Sequence, residues 1–368
     1  MKILFVTWGP VDKPSNGAQY YSSDYVKFLK RTNEVKTIEV IGAPNNGSHN
    51  DNKIFLKSKG IFANLEANLK LLLVMGKSKD LKDFDLVFSE SSYFFIFMLF
   101  SKILGKHIIY DTNQFDIEFS RNIPGLIKIP YLAFSVISDF VMYISSFALT
   151  FVSEVDERLF FKYFRHKLHY IIPVHINTAT IMELEDDTKL KLKINLGLNN
   201  KKFLCLFVGP IDTMQNKLSV DFLIYKVAPK IDDMTFLLVG KGNNINFKNI
   251  KSFGFVEDVN QYFEIADILV NPVIAGSGIK TKNLEALFHN LPVLTTKLGA
   301  DGIEDLINNG LFITNLESFA ETLIAMPNKI KGNKCNINKS LLRIHTLEFF
   351  ERSIGEMMND LLNKFTQT

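Results

Sequence analysis

The sequence is poor in cysteine, with only Cys205 and Cys335 among 368 residues. Cys205 sits inside an apolar, strand-like run, so the two thiols make no disulfide framework, and a reducing, cytoplasmic compartment fits. An excess of one charge is also missing. The 42 lysines and arginines face 39 acids, a net of +3, far short of a dedicated nucleic-acid binder, and nucleic acid is excluded as the main partner. No uncharged apolar run reaches the roughly 18 residues of a spanning helix. The nearest approach, residues 129–153, carries Asp139 in its middle. The opening Met1-Lys2-Ile3-Leu4-Phe5-Val6-Thr7 is interrupted by Gly9-Pro10 and Asp12 before a signal-peptide core forms, and reads as a first strand. The 7 histidines show no two-plus-carboxylate spacing and the cysteines lie far apart, so no metal ligand set is visible.

What is present is core material. An apolar fraction of 47% against 22% charged residues is that of a packed globular protein, and the length exceeds one ordinary hydrophobic core. Short β-branched and aromatic runs alternate with amphipathic stretches of helical length, the pattern of βαβ units around a parallel sheet. Strands are expected at residues 3–7, 35–41, 86–88, 107–110, 148–152 and 170–172. A polar stretch with dense mixed charge follows Pro173, and a second series then begins at 203–208, 235–239, 250–253, 268–271, 293–295 and 311–313. The expected fold class is α/β, with two Rossmann-like domains whose mostly parallel sheets face across a cleft. The expected divisions are an N-terminal domain over 1–172, a C-terminal domain over 173–345, and a terminal helix over 346–368 packing back towards the N-terminal domain.

Open parallel sheets bind ligands beyond the carboxyl ends of their strands, so the loops after each strand carry the chemistry. The most informative one runs Asn271-Pro272-Val273-Ile274-Ala275-Gly276-Ser277-Gly278-Ile279-Lys280-Thr281-Lys282-Asn283-Leu284-Glu285. A strand ends, a Gly-Ser-Gly turn follows, and a helix begins with free backbone N–H groups and the positive end of its dipole, which suits a diphosphate. Lys280 and Lys282 are unfavourable at a helix start unless an anion sits there. A serine N-cap with solvated lysines is the other reading of the same residues. Glu285, two turns in, either accepts two ribose hydroxyls or pairs on the surface with Lys282.

The order of residues from Phe255-Val256 through Tyr262, Ala266-Asp267, Pro272, Gly276-Ser277-Gly278, Lys280, Lys282, Leu284-Glu285-Ala286 and Pro292-Val293 to Gly299-Ala300 and Gly302 resembles the donor half of the retaining glycosyltransferases of family 4, the "group 1" enzymes of GT-B fold. Phe207-Val208-Gly209-Pro210 with Asn216, Val239-Gly240 and Asn16-Gly17 resemble the family's strand-end glycine turns, and Asp111-Thr112-Asn113 its acceptor-domain landmark. The resemblance implies a metal-independent transferase that needs no cofactor, takes a nucleoside-diphosphate sugar as donor, and passes the sugar with retention to a glycan or lipid-linked acceptor. It implies donor binding by Gly17, Gly209, Gly240, Val256, Gly276, Ser277, Gly278, Ile279, Lys282 and Glu285, and catalytic roles for Asn113, Asp116 and Lys280. Two positions depart from the family. Ser277 stands where the first of two glutamates often stands, and Asn113 where a histidine is common. A sugar-nucleotide epimerase or hydrolase of the same fold, or a nucleotide-binding pseudoenzyme acting as a partner subunit, are the competing readings.

Residues 91–106 and 123–147 are crowded with phenylalanine, isoleucine and leucine, in a chain holding 33 phenylalanines. They read either as buried helices covering the N-terminal sheet, or as a lysine-flanked apolar surface that makes peripheral contact with the inner face of the membrane.

Overall fold

The computed structural model describes the chain apart from residues 15–16, 43–51, 59, 78, 114, 122, 124, 127, 182, 199–201, 212, 243–244, 246, 277, 332–336 and 366–368. Two compact units are present: Met1–Val174 together with Phe350–Thr368, and His175–Phe349.

The first unit holds seven strands, β1 (Lys2–Trp8), β2 (Glu34–Gly42), β3 (Lys53–Leu56), β4 (Leu86–Ser89), β5 (His107–Thr112), β6 (Ala148–Phe151) and β7 (His169–Ile171). Their order is β3-β2-β1-β4-β5-β6-β7, and every pairing is parallel, with Lys2 opposite Glu34 and Ile3 opposite Leu86. Such a sheet must be covered on both faces, which is why Ile3, Leu4, Phe5 and Val6 are all fully buried. On one face Leu4, Val6, Val87, Ile108 and Leu149 meet Ala67, Leu71, Phe97, Met98 and Met142 from the helices Ile61–Lys77, Phe95–Ile103 and Lys128–Ser145. On the other, the Phe5 and Phe88 rings stack at 4.8 Å and Tyr25 of the helix Gly17–Leu29 packs on both. The terminal helix Leu347–Phe365 closes that face, burying Phe350, Ile354, Met357 and Leu361, with Phe350 edge-on to Tyr25 at 5.6 Å.

The expected six strands of this unit are all present, and β3 is the addition. The expected apolar helices are present too, but they enclose only some of their phenylalanines and isoleucines, Phe97 among them. Their solvent sides remain apolar, with Phe62, Ile103, Ile137 and Phe140 exposed.

The second unit repeats the architecture with β8 (Phe203–Val208), β9 (Met234–Val239), β10 (Ile250–Gly254), β11 (Ile268–Asn271), β12 (Val293–Thr295) and β13 (Leu311–Ile313), in the order β10-β9-β8-β11-β12-β13 and again all parallel. Cys205, Phe207, Phe236, Leu238, Val270 and Leu294 form its core with Val220, Leu223, Val227, Phe319 and Leu323. Strand order reverses direction between β8 and β11. A crevice at that switch point, beyond the strands' carboxyl ends, is where open α/β sheets take ligands.

Candidate functional site

The loops leaving β8 and β11 carry the site of the second unit. Gly209 follows β8 and adopts φ 139°, while Gly240 follows β9 at φ 146°. The Gly209 N–H donates to the Val239 carbonyl at 2.8 Å and the Gly240 N–H to the Gly254 carbonyl at 2.8 Å, so three adjacent strand ends are laced together. Val256, half-buried, stands just beyond β10.

After β11 the chain turns through Gly276 (φ 122°) and Gly278 (φ 73°), both buried, to half-buried Ile279 and Lys280, and enters the helix Thr281–Phe288. Ser277 lies outside the described residues. The helix start, capped by no side chain, leaves backbone donors for another partner. The helix Met214–Phe222 begins the same way, without a side-chain cap on Thr213. These two starts come together, since a β-carbon built on Gly276 would stand 3.4 Å from the Gln215 amide nitrogen, and Lys282 Nζ donates to Asn216 Oδ1 at 2.8 Å.

Two buried asparagines hold the turn from behind. Asn271 Nδ2 donates to Asn283 Oδ1 at 2.8 Å, and Asn283 Nδ2 donates to the Gly299 carbonyl at 2.8 Å. Thr295 and Thr296 donate their hydroxyls to the Asn271 and Val273 carbonyls at 2.7 Å each. With every one of these polar groups satisfied, the helix is pinned to its strand, which pre-organises its free N–H groups.

Lys282 is half-buried, and its ammonium lies 4.2 Å from the Phe207 ring centroid. Burial, with a smaller push from Lys280, lowers its pKa to about 7, while Glu285 acts the other way. Glu285 is itself raised by burial and held down by Lys282. Lys280 Nζ donates to the Gly278 carbonyl at 2.5 Å and also opposes the burial-driven rise at Asp301. The site thus has two lysines, two uncapped helix starts and one carboxylate a helical turn away. Its unmet demand is for an anion with two or more oxygens. Gln215, Phe207 and Asp301 were not singled out for the site by sequence. Gln215 at least lies in the first turn of the helix that follows β8, and the rule that found Gly276 applies to that connection too.

In the first unit Gly17 opens the helix Gly17–Leu29, and Asn16 lies outside the described residues. Asn113 is half-buried directly after β5. Asp116 opens the short helix Asp116–Arg121 but is buried, accepting from Ser92 Oγ at 2.5 Å, so its carboxylate ties helices together.

Residues 202–328 match the family described as Glycosyl transferases group 1. The whole chain superposes on the sucrose-phosphate synthase of Thermosynechococcus elongatus with a TM-score of 0.77 at 11% identity, covering 99% of each chain. It also superposes on Anabaena HepE solved with UDP-glucose (TM-score 0.68, 14% identity, 98% of this chain and 100% of that one) and on WaaG, described as a glycosyltransferase of lipopolysaccharide biosynthesis (TM-score 0.63, 15% identity, 95% and 94%). A curated relative, an uncharacterized 44.6 kDa protein in the cps region of Klebsiella pneumoniae, is 26% identical over 148 residues, a match spanning 35% of this chain and 38% of that protein. Two parallel-sheet units with these neighbours define a GT-B protein. Over residues 202–328 the second unit is similar to the group 1 glycosyltransferases.

Proposed function

We propose that the chain moves a hexose-type sugar from a nucleoside-diphosphate donor to a glycan or lipid-linked acceptor, with retention and without a metal, at the inner face of the membrane. The observation that carries this reading is Lys282, whose ammonium is held against an aromatic face and a neutral amide where two uncapped helix starts meet. A charge that burial disfavours is kept there at a cost that a bound diphosphate would offset. Negative charge builds on the leaving diphosphate in the transition state, and Lys280, Lys282 and the helix N–H groups are fixed in place to receive it, so that role needs no divalent cation. The leaving phosphate can then take the acceptor's proton, which suits a site with no strong base beside it. Glu285 accepts the ribose hydroxyls, Asn113 serves the acceptor side, and buried Asp116 supports that side through its hydrogen bond with Ser92. UDP-glucose, the ligand of the Anabaena neighbour, is the first donor to try.

Calorimetric titration with a panel of nucleoside diphosphates, followed by donor turnover, tests the assignment. Because a charge-assisted bidentate contact is worth about 1.5–3 kcal/mol, Glu285→Ala is expected to weaken nucleotide binding roughly ten- to a hundredfold with the fold intact. Unchanged affinity removes Glu285 from the ribose.

Lys282 supplies an independent check. Its pKa lies near about 7 in the free protein, and an adjacent diphosphate favours the charged form, so binding above that pH takes up a proton. Affinity is therefore expected to fall as pH rises from about 7 to about 9, by up to tenfold per unit, and Lys282→Met should abolish the proton uptake. Titrations in two buffers of different ionisation heat measure it directly. Equal heats in both buffers at about pH 8 would show that Lys282 is already charged.

A further inference from the structure

The helix Lys128–Ser145 is built inside out. Its buried residues are Ser135, Ser138, Asp139, Met142 and Ser145, whereas Ile129, Val136, Ile137, Phe140 and Ile144 face solvent. Most of the inward polar groups are satisfied, Ser145 Oγ being the exception. Asp139 accepts from the Tyr110 hydroxyl at 3.0 Å and from the Ile117 N–H at 3.1 Å, and Ser135 shares a hydrogen bond of 2.7 Å with Ser120. Nothing in the fold therefore demands an apolar exterior.

The two neighbouring helices bury apolar residues such as Leu71, Phe97 and Met98, yet they too leave large apolar side chains outside. In the helix Ile61–Lys77, Asn64 and Asn68 are buried while Phe62 (74% exposed), Leu69 and Leu73 (61% each) point outward. Asn68 Oδ1 accepts the Ile96 and Phe97 N–H groups at 3.0 and 3.1 Å, which fastens this helix beside Phe95–Ile103. That next helix buries Ser101 and leaves Ile103 75% exposed. Phe95 and Phe134 meet edge to face at 5.7 Å, and Lys102 Nζ donates to the Ile144 carbonyl, which sets the third helix alongside. Three adjacent helices thus share one apolar outer surface, far more than scattered exposed leucines.

Charge decides among occupants. Among the described side chains of the three helices the only carboxylates are Asp139, buried as above, and Glu66, which is turned onto the Lys57 and Ser58 N–H groups and Lys70. Lys102 and Lys128 are exposed, and Lys162 and Arg165 flank Phe164, whose ring stacks on Tyr143 at 4.9 Å near the end of the inside-out helix. Outward side chains with no hydrogen-bonding groups, ringed by cations, match hydrocarbon beneath anionic headgroups. A protein partner would be met by a polar rim carrying both signs.

We propose that this three-helix face seats the protein on an anionic bilayer, with Phe62, Leu69, Ile103, Ile137 and Phe140 in the acyl boundary and Lys102 and Lys128 at headgroup level. The surface deepens the proposed transfer to a lipid-linked acceptor, but its test needs neither donor nor turnover. The full chain is floated with vesicles of phosphatidylcholine alone and of phosphatidylcholine with phosphatidylglycerol. It is expected to float with the anionic vesicles, and to be released by salt more readily than by dilution. Ile137→Asp with Phe140→Asp, and separately Ile103→Asp, should each lower the floated fraction about tenfold, leaving the melting temperature and nucleoside-diphosphate affinity unchanged. Folded variants that float like the unaltered chain overturn the proposal, as does an unaltered chain that stays in the soluble fraction with both vesicle types. A dimer in sedimentation that Ile137→Asp dissolves would give the face to a second copy of the chain and also overturn it.

Discussion

Gly240→Val should unfold the second unit at markedly lower temperature and abolish nucleotide binding with it. Gly240 adopts φ 146°, a region open almost only to glycine, and a β-carbon there would stand 1.8 Å from the Gly209 carbonyl oxygen and 2.4 Å from its carbon. The obstacle is backbone, so no rotamer relieves it. The strand-end turn that follows β8 must move away, carrying Gly209 from its contact zone with Asn216 and Lys282, where a β-carbon would already approach both to 2.9 Å. A loss of about 3 kcal/mol or more is expected from strain and displaced hydrogen bonds together. The chain has a single tryptophan, Trp8, in the first unit, so its fluorescence follows that unit while calorimetry follows both. The calorimetric transition should shift by more than the fluorescence midpoint. Equal melting temperatures in the variant and the unaltered chain would show that the two turns separate freely.

The strands were legible because a parallel sheet covered on both faces writes each strand as a short, nearly continuous apolar run. The exception, β3, is a four-residue edge strand, Lys-Ile-Phe-Leu, whose Lys53 and Phe55 are only half-buried. It directly follows an asparagine- and glycine-rich stretch, and its run is too short to stand out from it. The helix Lys128–Ser145 was legible as a helix but not as to which side faces in. Periodicity gives the angle between two faces without naming the inner one, and apolar side chains ordinarily point inward. Here the serines and Asp139 do so, because Tyr110 and the Ile117 N–H offer them partners inside.

At the site, the Gly276–Lys282 turn could be read because each part of it is local: a strand end, two glycines, a helix start and two lysines. The partners that give Lys282 its character could not. Phe207 and Asn216 reach it from the far side of the strand-order reversal, and only the pairing of β8 with β11 brings them together. Asp116 shows the converse. Its place after β5 suggests a cleft residue, yet Ser92 and the helix Lys128–Ser145 enclose it, and whatever it contributes to the acceptor side passes through packing.

The first unit should lose stability as pH rises, the reverse of what paired carboxylates do. Glu90, just past β4, and Asp111, at the end of β5, are buried side by side where the strand order of that sheet turns. Glu90 Oε2 accepts from Ser22 Oγ at 2.7 Å and Asp111 Oδ1 from Thr150 Oγ1 at 2.5 Å, whereas Glu90 Oε1 and Asp111 Oδ2 have no hydrogen-bond partner. Among the described residues neither is paired with a lysine or arginine. Burial, followed by the Asp111 charge, pushes Glu90 up to about 8 against the pull of Thr7 and Ser22, and burial pushes Asp111 up to about 7 against Thr150. The folded state therefore keeps protons that the unfolded chain releases in the ordinary carboxylate range. The stabilisation is complete below that range and is lost progressively as pH climbs above it, until about 7 for Asp111 and about 8 for Glu90, by on the order of 4 kcal/mol for each group. Urea unfolding followed by Trp8, whose indole donates to Ser91 Oγ at 3.3 Å beside Glu90, reads this unit alone. Between about pH 5 and about pH 9 the midpoint should fall, and Glu90→Gln, neutral at every pH and still able to accept from Ser22, should flatten most of the slope. A midpoint that holds level or climbs over that interval, or a Glu90→Gln variant with the full slope, would mean that the two carboxyls ionise in the folded protein as they do in water.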